Sequence, residues 1–453
     1  MVIENHAHRM RLSGDVYEES SAFWRPVLSV GKKQSVRSGL LKLGVGSASG
    51  YVITLAVSPF LMRLYSPAEF GLFGVFGAIV AMSSILATMS FELGILGAPN
   101  RPSSMQFAIT AVSLAMLATL FATPIGFLLA LWFPQVGLPA WAMAAAFPVC
   151  LVAVLQIVAI NWAIRTDQTG VAARATFASL AGRSFFHIVF GYVFGGLGSL
   201  IAGEFSGRIL GWLAAERGTL RVVIARLVRG PSTLFSHISR NRQYAVHVTP
   251  STAIEVALVW VPAPGFALVY GPAAGGFLAL VQRLGSAPLT VLNQSMGQLV
   301  HRHAGAVLGV DNNRVLRLIG AVLVGTLPLL ALLMGSLWLR GAEVAAFVFG
   351  EQWRAAGMVA LAFTPLYYVQ FLSLITNRLI LVMGYMRMKL AGSLLHLAIL
   401  CLSFPAARLL DLDWLGAMAL QASALTVSHL LIFLVVLVAV ARYRRPGSEL
   451  QAG

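Results

Sequence analysis

The sequence predicts an all-α polytopic membrane protein with about twelve transmembrane helices. Apolar stretches such as Phe107 to Trp132 and Trp414 to Val440 exceed the roughly 20 residues that a helix needs to cross the hydrocarbon core. Hydrophobic residues make up 58% of the chain and charged residues only 11%. Because a soluble domain carries about 25% charged residues, this chain cannot cover a water-facing surface with its own side chains.

Twelve spans are predicted in order along the chain. They lie near Gly39–Leu64, Phe70–Ser90, Met105–Phe133, Pro139–Asn161, Val171–Gly195, Leu197–Ala214, Val246–Tyr270, Phe277–Val300, Leu316–Leu339, Met358–Met383, Leu390–Pro405 and Leu415–Val440. The fifth and sixth spans could be misread as one long helix broken at Gly195 and Gly196. The predicted organisation is a tail (1–38), a first lobe of six spans (39–214), a basic linker (215–245), a second lobe of six spans (246–441) and a short tail (442–453).

The basic residues are distributed unevenly across the predicted membrane. The formal net charge is +16, which raises the question of nucleic-acid binding. With the N-terminus inside, the cytoplasmic segments hold 23 of the 32 Lys and Arg residues, whereas the opposite side holds 4. This asymmetry is the positive-inside pattern of membrane proteins. The sequence therefore predicts that both tails are cytoplasmic, that the bilayer is the partner of the basic surface, and that nucleic acid is not.

An internal repeat relates the two predicted lobes. Residues 64–71, which read LYSPAEFG, follow the first span, and residues 269–276, which read VYGPAAGG, follow the seventh. Tyr, Pro, Ala and Gly match at a constant offset of 205 residues, and Pro suits the first turn of a helix. Because each lobe holds an even number of spans, both have the same orientation. The lobes should therefore be related by a pseudo-two-fold axis along the membrane normal.

Several segments resemble one family of membrane proteins. Residues 61–71, which read LMRLYSPAEFG, resemble the first outer loop of bacterial polysaccharide (Wzx-type) flippases, which belong to the multidrug/oligosaccharidyl-lipid/polysaccharide exporter superfamily. Similar segments follow at Phe91 to Ile95, from Tyr270 through Gln298, and at Phe349 to Gly357. The resemblance covers residues 39–389, and the last two spans match only in general character.

The resemblance implies a fold, an activity and a location. The fold would be a V-shaped pair of six-helix lobes around a cationic cavity, in the bacterial inner membrane. The protein would move a polyprenyl-diphosphate-linked oligosaccharide across that membrane by alternating access. The product would be a capsule, an exopolysaccharide or a lipopolysaccharide, and the protein would work beside a polysaccharide polymerase and chain-length machinery.

Charged residues inside the predicted spans are the candidate functional residues, because each costs about 2.5–3.5 kcal/mol at mid-membrane on insertion scales. The basic candidates are Arg283, Arg378, Arg208, Arg183 and Lys42, and the acidic candidates are Glu92, Glu204 and Glu255. Arginine can hold phosphate oxygens with two parallel hydrogen bonds. Arg283 and Arg378, which lie inside the eighth and tenth spans, are therefore the leading candidates for binding a diphosphate.

The other candidates have competing interpretations. Glu204 lies one helical turn before Arg208, so the two residues can neutralise each other. Lys42 lies near a helix end, where its ammonium group can reach the interface. Glu255 is predicted either to carry a coupling proton or to pair with Arg283. The coupling ion, H⁺ or Na⁺, stays open.

The sequence predicts no cofactor and no metal site. His301 and His303 lie close together, but the sequence places no convergent carboxylates or cysteines beside them. A phosphate-cradling glycine-rich loop with its lysine is also missing, so an ATP site is not expected.

Three functions compete at this stage. The first is a lipid-linked oligosaccharide flippase, the second a drug or cation antiporter of the same superfamily, and the third a membrane polysaccharide polymerase or ligase. An enzyme of the third kind typically has a large outer loop, whereas the longest predicted outer loop runs only from Arg340 to Gly357. Arginines inside the spans favour an anionic lipid diphosphate over a cationic drug. The sequence therefore favours a transporter, and a flippase first.

Overall fold

The computed structural model describes residues 33–132, 137–216, 232–285, 289, 308–309 and 311–443. For residues 33–47, 232, 233, 374–378, 381, 382 and 386 it describes the backbone but not the side chains. Within these ranges the chain is helical with no strand, which confirms the predicted all-α fold. Seven of the described helices are long and apolar enough to cross a membrane, and a bent pair of helices makes an eighth.

The described residues of the first half of the protein form seven helices. They are α1 (Lys33–Leu64), α2 (Pro67–Thr88), α3 (Phe91–Gly97), α4 (Arg101–Trp132), α5 (Ala140–Arg165), α6 (Thr169–Val193) and α7 (Gly196–Ala215). Helix α6 packs against α1 and α7, and α4 packs against α5. Gly195 and Gly196 lie where α6 ends and α7 begins, with φ values of 65° and 72°, a backbone conformation that glycine adopts without steric cost. The fifth and sixth spans are therefore two helices, as predicted.

Eight helices lie in the described parts of the linker and the second half. They are α8 (Ser232–Arg240), α9 (Thr249–Trp260), α10 (Pro262–Tyr270), α11 (residues 272–285), α12 (Asn312–Phe349), α13 (Ala356–Met383), α14 (Met386–Leu409) and α15 (Trp414–Arg442). A π-helical turn at Tyr244–Val248 precedes α9, and a 3₁₀ turn at Glu351–Trp353 precedes α13. Helix α13 packs against α12 and α15, and α14 packs against α9 and α15.

The seventh span is broken, whereas the sequence analysis predicted one continuous helix. Helices α9 and α10 meet at an angle of 56°. Pro262 and Pro264 explain the break, because a proline has no N–H and its ring clashes with the preceding turn. The carbonyl oxygens of Leu258 and Trp260, four residues earlier, consequently lack their usual helical donors.

The predicted outer loop from Arg340 to Gly357 is also mostly helical. Helix α12 bends at Arg340, where the backbone leaves the helical region (φ −142°, ψ 16°), and then continues to Phe349. The 3₁₀ turn follows at once. Gly341 and Gly357 allow the two arms of this segment to touch, because a Cβ on Gly357 would lie 2.1 Å from the Gly341 carbonyl oxygen. The loop prediction was wrong because these helical turns are too short to read as a span.

The two copies of the repeat begin helices α2 and α11 by different means. Ser66 caps α2: its hydroxyl accepts a hydrogen bond from the Glu69 N–H, and the Glu69 carboxylate accepts one from the Ser66 N–H at 2.8 Å. Gly271 precedes α11 with φ 98°, which only glycine adopts readily. The preceding tyrosine of each copy donates a hydrogen bond within its own half, Tyr65 to the His187 carbonyl and Tyr270 to the Leu412 carbonyl.

The repeat also forms a reciprocal contact between the halves. A Cβ on Gly71 would lie 1.8 Å from the carbonyl oxygen of Pro272, and a Cβ on Gly276 would lie 1.8 Å from the carbonyl oxygen of Pro67. Pro67 and Gly71 are the counterparts of Pro272 and Gly276 in the repeat. The first turns of α2 and α11 therefore cross backbone to backbone around a local two-fold axis, and the matched glycines make that approach possible.

Polar contacts join the halves at the same end of the molecule. Trp353 Nε1 donates to the Met62 carbonyl at 2.6 Å, and Gln352 Nε2 donates to the Met62 and Tyr65 carbonyls at 3.0 and 3.2 Å. Arg63 Nη2 donates to the Phe347 carbonyl at 2.7 Å. Met62 and Arg63 lie in the last turn of α1, whose carbonyls have no intrahelical donor. The 3₁₀ turn supplies the missing donors and holds the lobes together here.

Candidate functional site: a cavity between the two lobes

A cavity of about 490 Å³ lies where the two halves meet. Helices α1, α2, α6 and α7 form one wall, and α9, α10 and α11 form the other. Aromatic and small apolar residues make up most of the lining. The charged and amide-bearing residues among the described lining are Arg183, His187, Glu204, Arg208, Gln282 and Arg283.

A glycine stripe on α7 brings α6 close enough to build the charged wall. A Cβ on Gly203 would lie 2.9 Å from the backbone nitrogen of His187, and one on Gly207 would lie 2.4 Å from the backbone nitrogen of Arg183. Small residues at helix contacts let backbones approach in this way. The close approach places Arg183 of α6 within hydrogen-bonding distance of Glu204 on α7.

Glu204 is the centre of an ion-pair network. Its Oε1 accepts hydrogen bonds from Arg208 Nε at 2.7 Å and from Arg183 Nη1 at 3.2 Å. The side chains of Arg183 and Arg208 keep 26% and 20% of their surface exposed, so neither guanidinium is sealed from the cavity. The sequence analysis identified Glu204 and Arg208 as a pair, and the fold adds Arg183.

His187 lies beside this network and is not counted among its charged groups. Its Nε2 lies 3.0 Å from the Leu200 carbonyl and 4.0 Å from Glu204 Oε2. Because a carbonyl only accepts hydrogen bonds, the contact with Leu200 places a proton on Nε2. His187 therefore acts as a helix-contact residue between α6 and α7.

Arg283 reaches the cavity from the opposite lobe. Its Nε donates to the hydroxyl of Ser58 on α1 at 3.2 Å, and no ion pair with a described acidic residue holds it. Three arginines and one glutamate line the cavity in the described part of the chain, which leaves two positive charges in excess. Such a cavity is suited to an anionic ligand with several oxygens, because guanidinium groups match phosphate in shape and charge.

The remaining predicted residues fall elsewhere. Glu255 forms an ion pair with Lys389 at 2.7 Å, with the side chains 49% and 40% exposed, so the predicted pairing with Arg283 was wrong. Glu255 lies on α9 and Lys389 on α14, and these helices pack together within the second half. Glu92 is buried on α3 and does not line the cavity. Arg378 lies on α13 and Lys42 on α1, but their side chains lie outside the described residues, so their roles stay predictions.

Sequence reasoning missed the uncharged polar and aromatic part of the lining. Trp260, Tyr51 and Gln282 all border the cavity. Charged residues stand out inside apolar spans, whereas aromatic side chains do not, because they are common throughout an apolar chain. The Pro262 and Pro264 pair was the available signal, because two prolines inside a predicted span mark a broken helix, a common feature of transporter sites.

No protein-family model and no curated protein sequence matches this chain. Solved structures do match it. An inward-facing multidrug resistance MATE family transporter of the MOP superfamily superimposes with a TM-score of 0.63 at 14% identity, over 89% of this chain and 98% of that one. The lipid II flippase MurJ in an inward closed conformation gives a TM-score of 0.67 at 10% identity, over 88% of this chain and 90% of that one.

At these identities the likeness shows the fold alone. The predicted arrangement of about twelve spans in two lobes is confirmed, because both of these transporters share it over nearly their whole length. The likeness to these structures does not test the narrower resemblance to Wzx-type flippases.

Proposed function

We propose that this protein is a flippase that moves a polyprenyl-diphosphate-linked oligosaccharide across the bacterial inner membrane. The observation that carries the proposal is the excess of two positive charges in a cavity between two lobes. A diphosphate needs cationic partners once it leaves water, and arginines from both lobes face this cavity. Arg183 and Arg208 would hold the diphosphate from one side and Arg283 from the other.

The two-lobe fold supports transport by alternating access. A site between lobes can be exposed to each side in turn when the lobes rock against each other. The polyprenyl tail would stay in the bilayer, so the protein would shield only the charged and sugar-bearing part of the substrate. No covalent step is needed, and the proposal is therefore a transporter rather than an enzyme. A polysaccharide polymerase and chain-length proteins would act on the delivered product.

A drug or cation antiporter is the alternative with the same fold. One of the matching structures is a multidrug resistance transporter, so the fold does not separate the two functions. The charges of the cavity lining favour the flippase over the antiporter. Glu204 is the single acidic residue among the described lining residues, and two arginines already hold it. An organic cation entering this cavity would meet net positive charge and no available carboxylate.

The experiment that tests the proposal measures movement of the lipid directly. The purified protein is reconstituted into proteoliposomes with a fluorescent polyprenyl-diphosphate disaccharide, and a membrane-impermeant quencher reports the fraction in the outer leaflet over time. We expect protein-dependent exchange that excess unlabelled polyprenyl diphosphate inhibits and ethidium does not. Efflux of ethidium without exchange of the lipid would establish the antiporter instead.

The positive-inside pattern supports an orientation with both tails in the cytoplasm, which we include in the proposal. Alkaline phosphatase folds to an active enzyme only outside the cytoplasm. Fused after Arg445 it should therefore be inactive, and fused after Gly350 it should be active. The opposite pattern of activities would contradict the twelve-span orientation.

A further inference from the structure

We propose that Trp260 and the helix break beside it form a sugar-binding subsite in the cavity, distinct from the arginines that would bind the diphosphate. The inference rests on the proposed function and adds where the first sugar of the cargo would bind. Trp260 ends α9 at the 56° bend and borders the same cavity as Arg283. A glycan attached to a diphosphate at the arginines would extend into this shared space.

Part of the Trp260 indole is available to a ligand. Trp260 lines the cavity and its surface is 41% exposed, so the protein leaves part of the ring uncovered there. The ring rests against α2 at Gly77, since a Cβ there would lie 3.1 Å from Trp260 Cζ3. The electron-rich face of an indole attracts the polarised C–H groups of a sugar ring, as it attracts the positive edge of another aromatic ring.

The break beside Trp260 leaves a backbone acceptor of a cavity-lining residue without its usual helical donor. Pro264 has no N–H to donate to the carbonyl oxygen of Trp260, four residues earlier, and Trp260 lines the cavity. Sugar hydroxyls are donors and fit such an acceptor, whereas phosphate oxygens do not. Gln282 on α11 adds an amide that can both donate and accept. The arginines provide only donors. The cavity therefore has one part that suits phosphate oxygens, which accept hydrogen bonds, and another part that suits sugar hydroxyls, which also donate them.

The same groups do not suit the polyprenyl tail. A polar group buried against hydrocarbon without a hydrogen bond costs free energy that a hydroxyl partner would recover. A tail placed here would bring hydrocarbon against the Gln282 amide and the Trp260 backbone. The subsite therefore fits a polar ring with apolar C–H faces, which is the chemistry of a pyranose.

The test compares binding of two probes by the purified protein in nanodiscs. One probe is polyprenyl diphosphate, and the other is the same lipid carrying a single sugar, tested as a hexose and as an N-acetylhexosamine. The ratio of the two Kd values measures the contribution of the sugar. Trp260→Ala should reduce that contribution about ten-fold and leave the Kd of the bare lipid within about two-fold of wild type.

Three variants separate binding from packing. Trp260→Phe keeps an aromatic face and should keep most of the sugar contribution. Gly77→Ala presses on the indole without deleting it and should weaken sugar binding selectively. Trp338→Ala removes an indole that is 74% exposed on α12, away from the cavity, and should change neither Kd.

The outcomes distinguish this inference from the proposed function. An equal loss of affinity for both probes in Trp260→Ala would mean that the ring only packs, which overturns the subsite. An unchanged sugar contribution in that variant also overturns it, and so does a wild-type protein that binds both probes equally, although the flippase proposal survives in each case. A wild-type protein that binds neither probe overturns both.

Discussion

Replacing Arg283 by alanine is expected to abolish lipid exchange while the protein still inserts and folds. Arg283 is the clearest arginine to remove, because it has no acidic partner among the described residues. Removing Arg183 or Arg208 would instead weaken the pairing of the buried Glu204, which confuses loss of function with loss of stability. The loss of two charge-assisted hydrogen bonds to phosphate should weaken binding of polyprenyl diphosphate by about 100-fold.

The measurement is the initial rate of exchange in proteoliposomes, together with the Kd for polyprenyl diphosphate. Arg283→Lys should recover only part of the activity, because an ammonium group keeps the charge but not the planar pair of donors. Arg174→Ala is the matched control, since Arg174 is an exposed arginine on α6 that does not line the cavity. Wild-type exchange by Arg283→Ala at wild-type expression would rule out its role at the diphosphate.

The same substitution at Arg378 tests the other leading residue from the sequence analysis. Combining Arg283→Ala with Arg378→Ala shows whether the two act on one ligand, because effects on a shared phosphate group should not be additive.

Replacing Gly71 by alanine is expected to force the lobes apart at the end where the repeat motifs cross. The new Cβ would lie 1.8 Å from the Pro272 carbonyl oxygen, and because that atom belongs to the backbone, no side chain can turn aside. Overpacking of this kind costs about 1–3 kcal/mol or more, so the closed contact should become about 100-fold less populated. Lipid exchange should fall accordingly, because alternating access requires this end to close.

The repeat provides an internal check on this prediction. Gly276→Ala should reproduce the defect, since its Cβ would lie 1.8 Å from the Pro67 carbonyl oxygen. Gly74→Ala is the matched control on the same helix for thermal stability and cross-linking, because the nearest atom to its Cβ would be the Ala279 Cβ at 3.8 Å. The measurements are thermal stability and cross-linking between cysteines placed at Ala68 and Ala273. Normal cross-linking and exchange by Gly71→Ala would contradict the close backbone crossing.

The helical fold class and most of the spans can be predicted from the sequence. A chain in hydrocarbon must satisfy its backbone hydrogen bonds internally, so long apolar stretches have no alternative to the helix. The offset of 205 residues between the motifs at Tyr65 and Tyr270 also carried three-dimensional information. The prolines and glycines of the two copies meet each other in the fold, because a duplicated chain can pair the same turn with itself across a two-fold axis.

Which charged residues contact each other depends on the tertiary structure. Glu204 and Arg208 share one helical turn, so their contact is local and could be read from spacing. Arg183 joins them because the glycine stripe on α7 allows a close helix crossing, and Arg283 arrives from the other lobe. Glu255 forms its ion pair with Lys389. The two residues are 134 positions apart in the sequence, and no spacing rule connects them. Partners across helices depend on how backbones pack, and an isolated sequence specifies that packing only through the sum of many weak contacts.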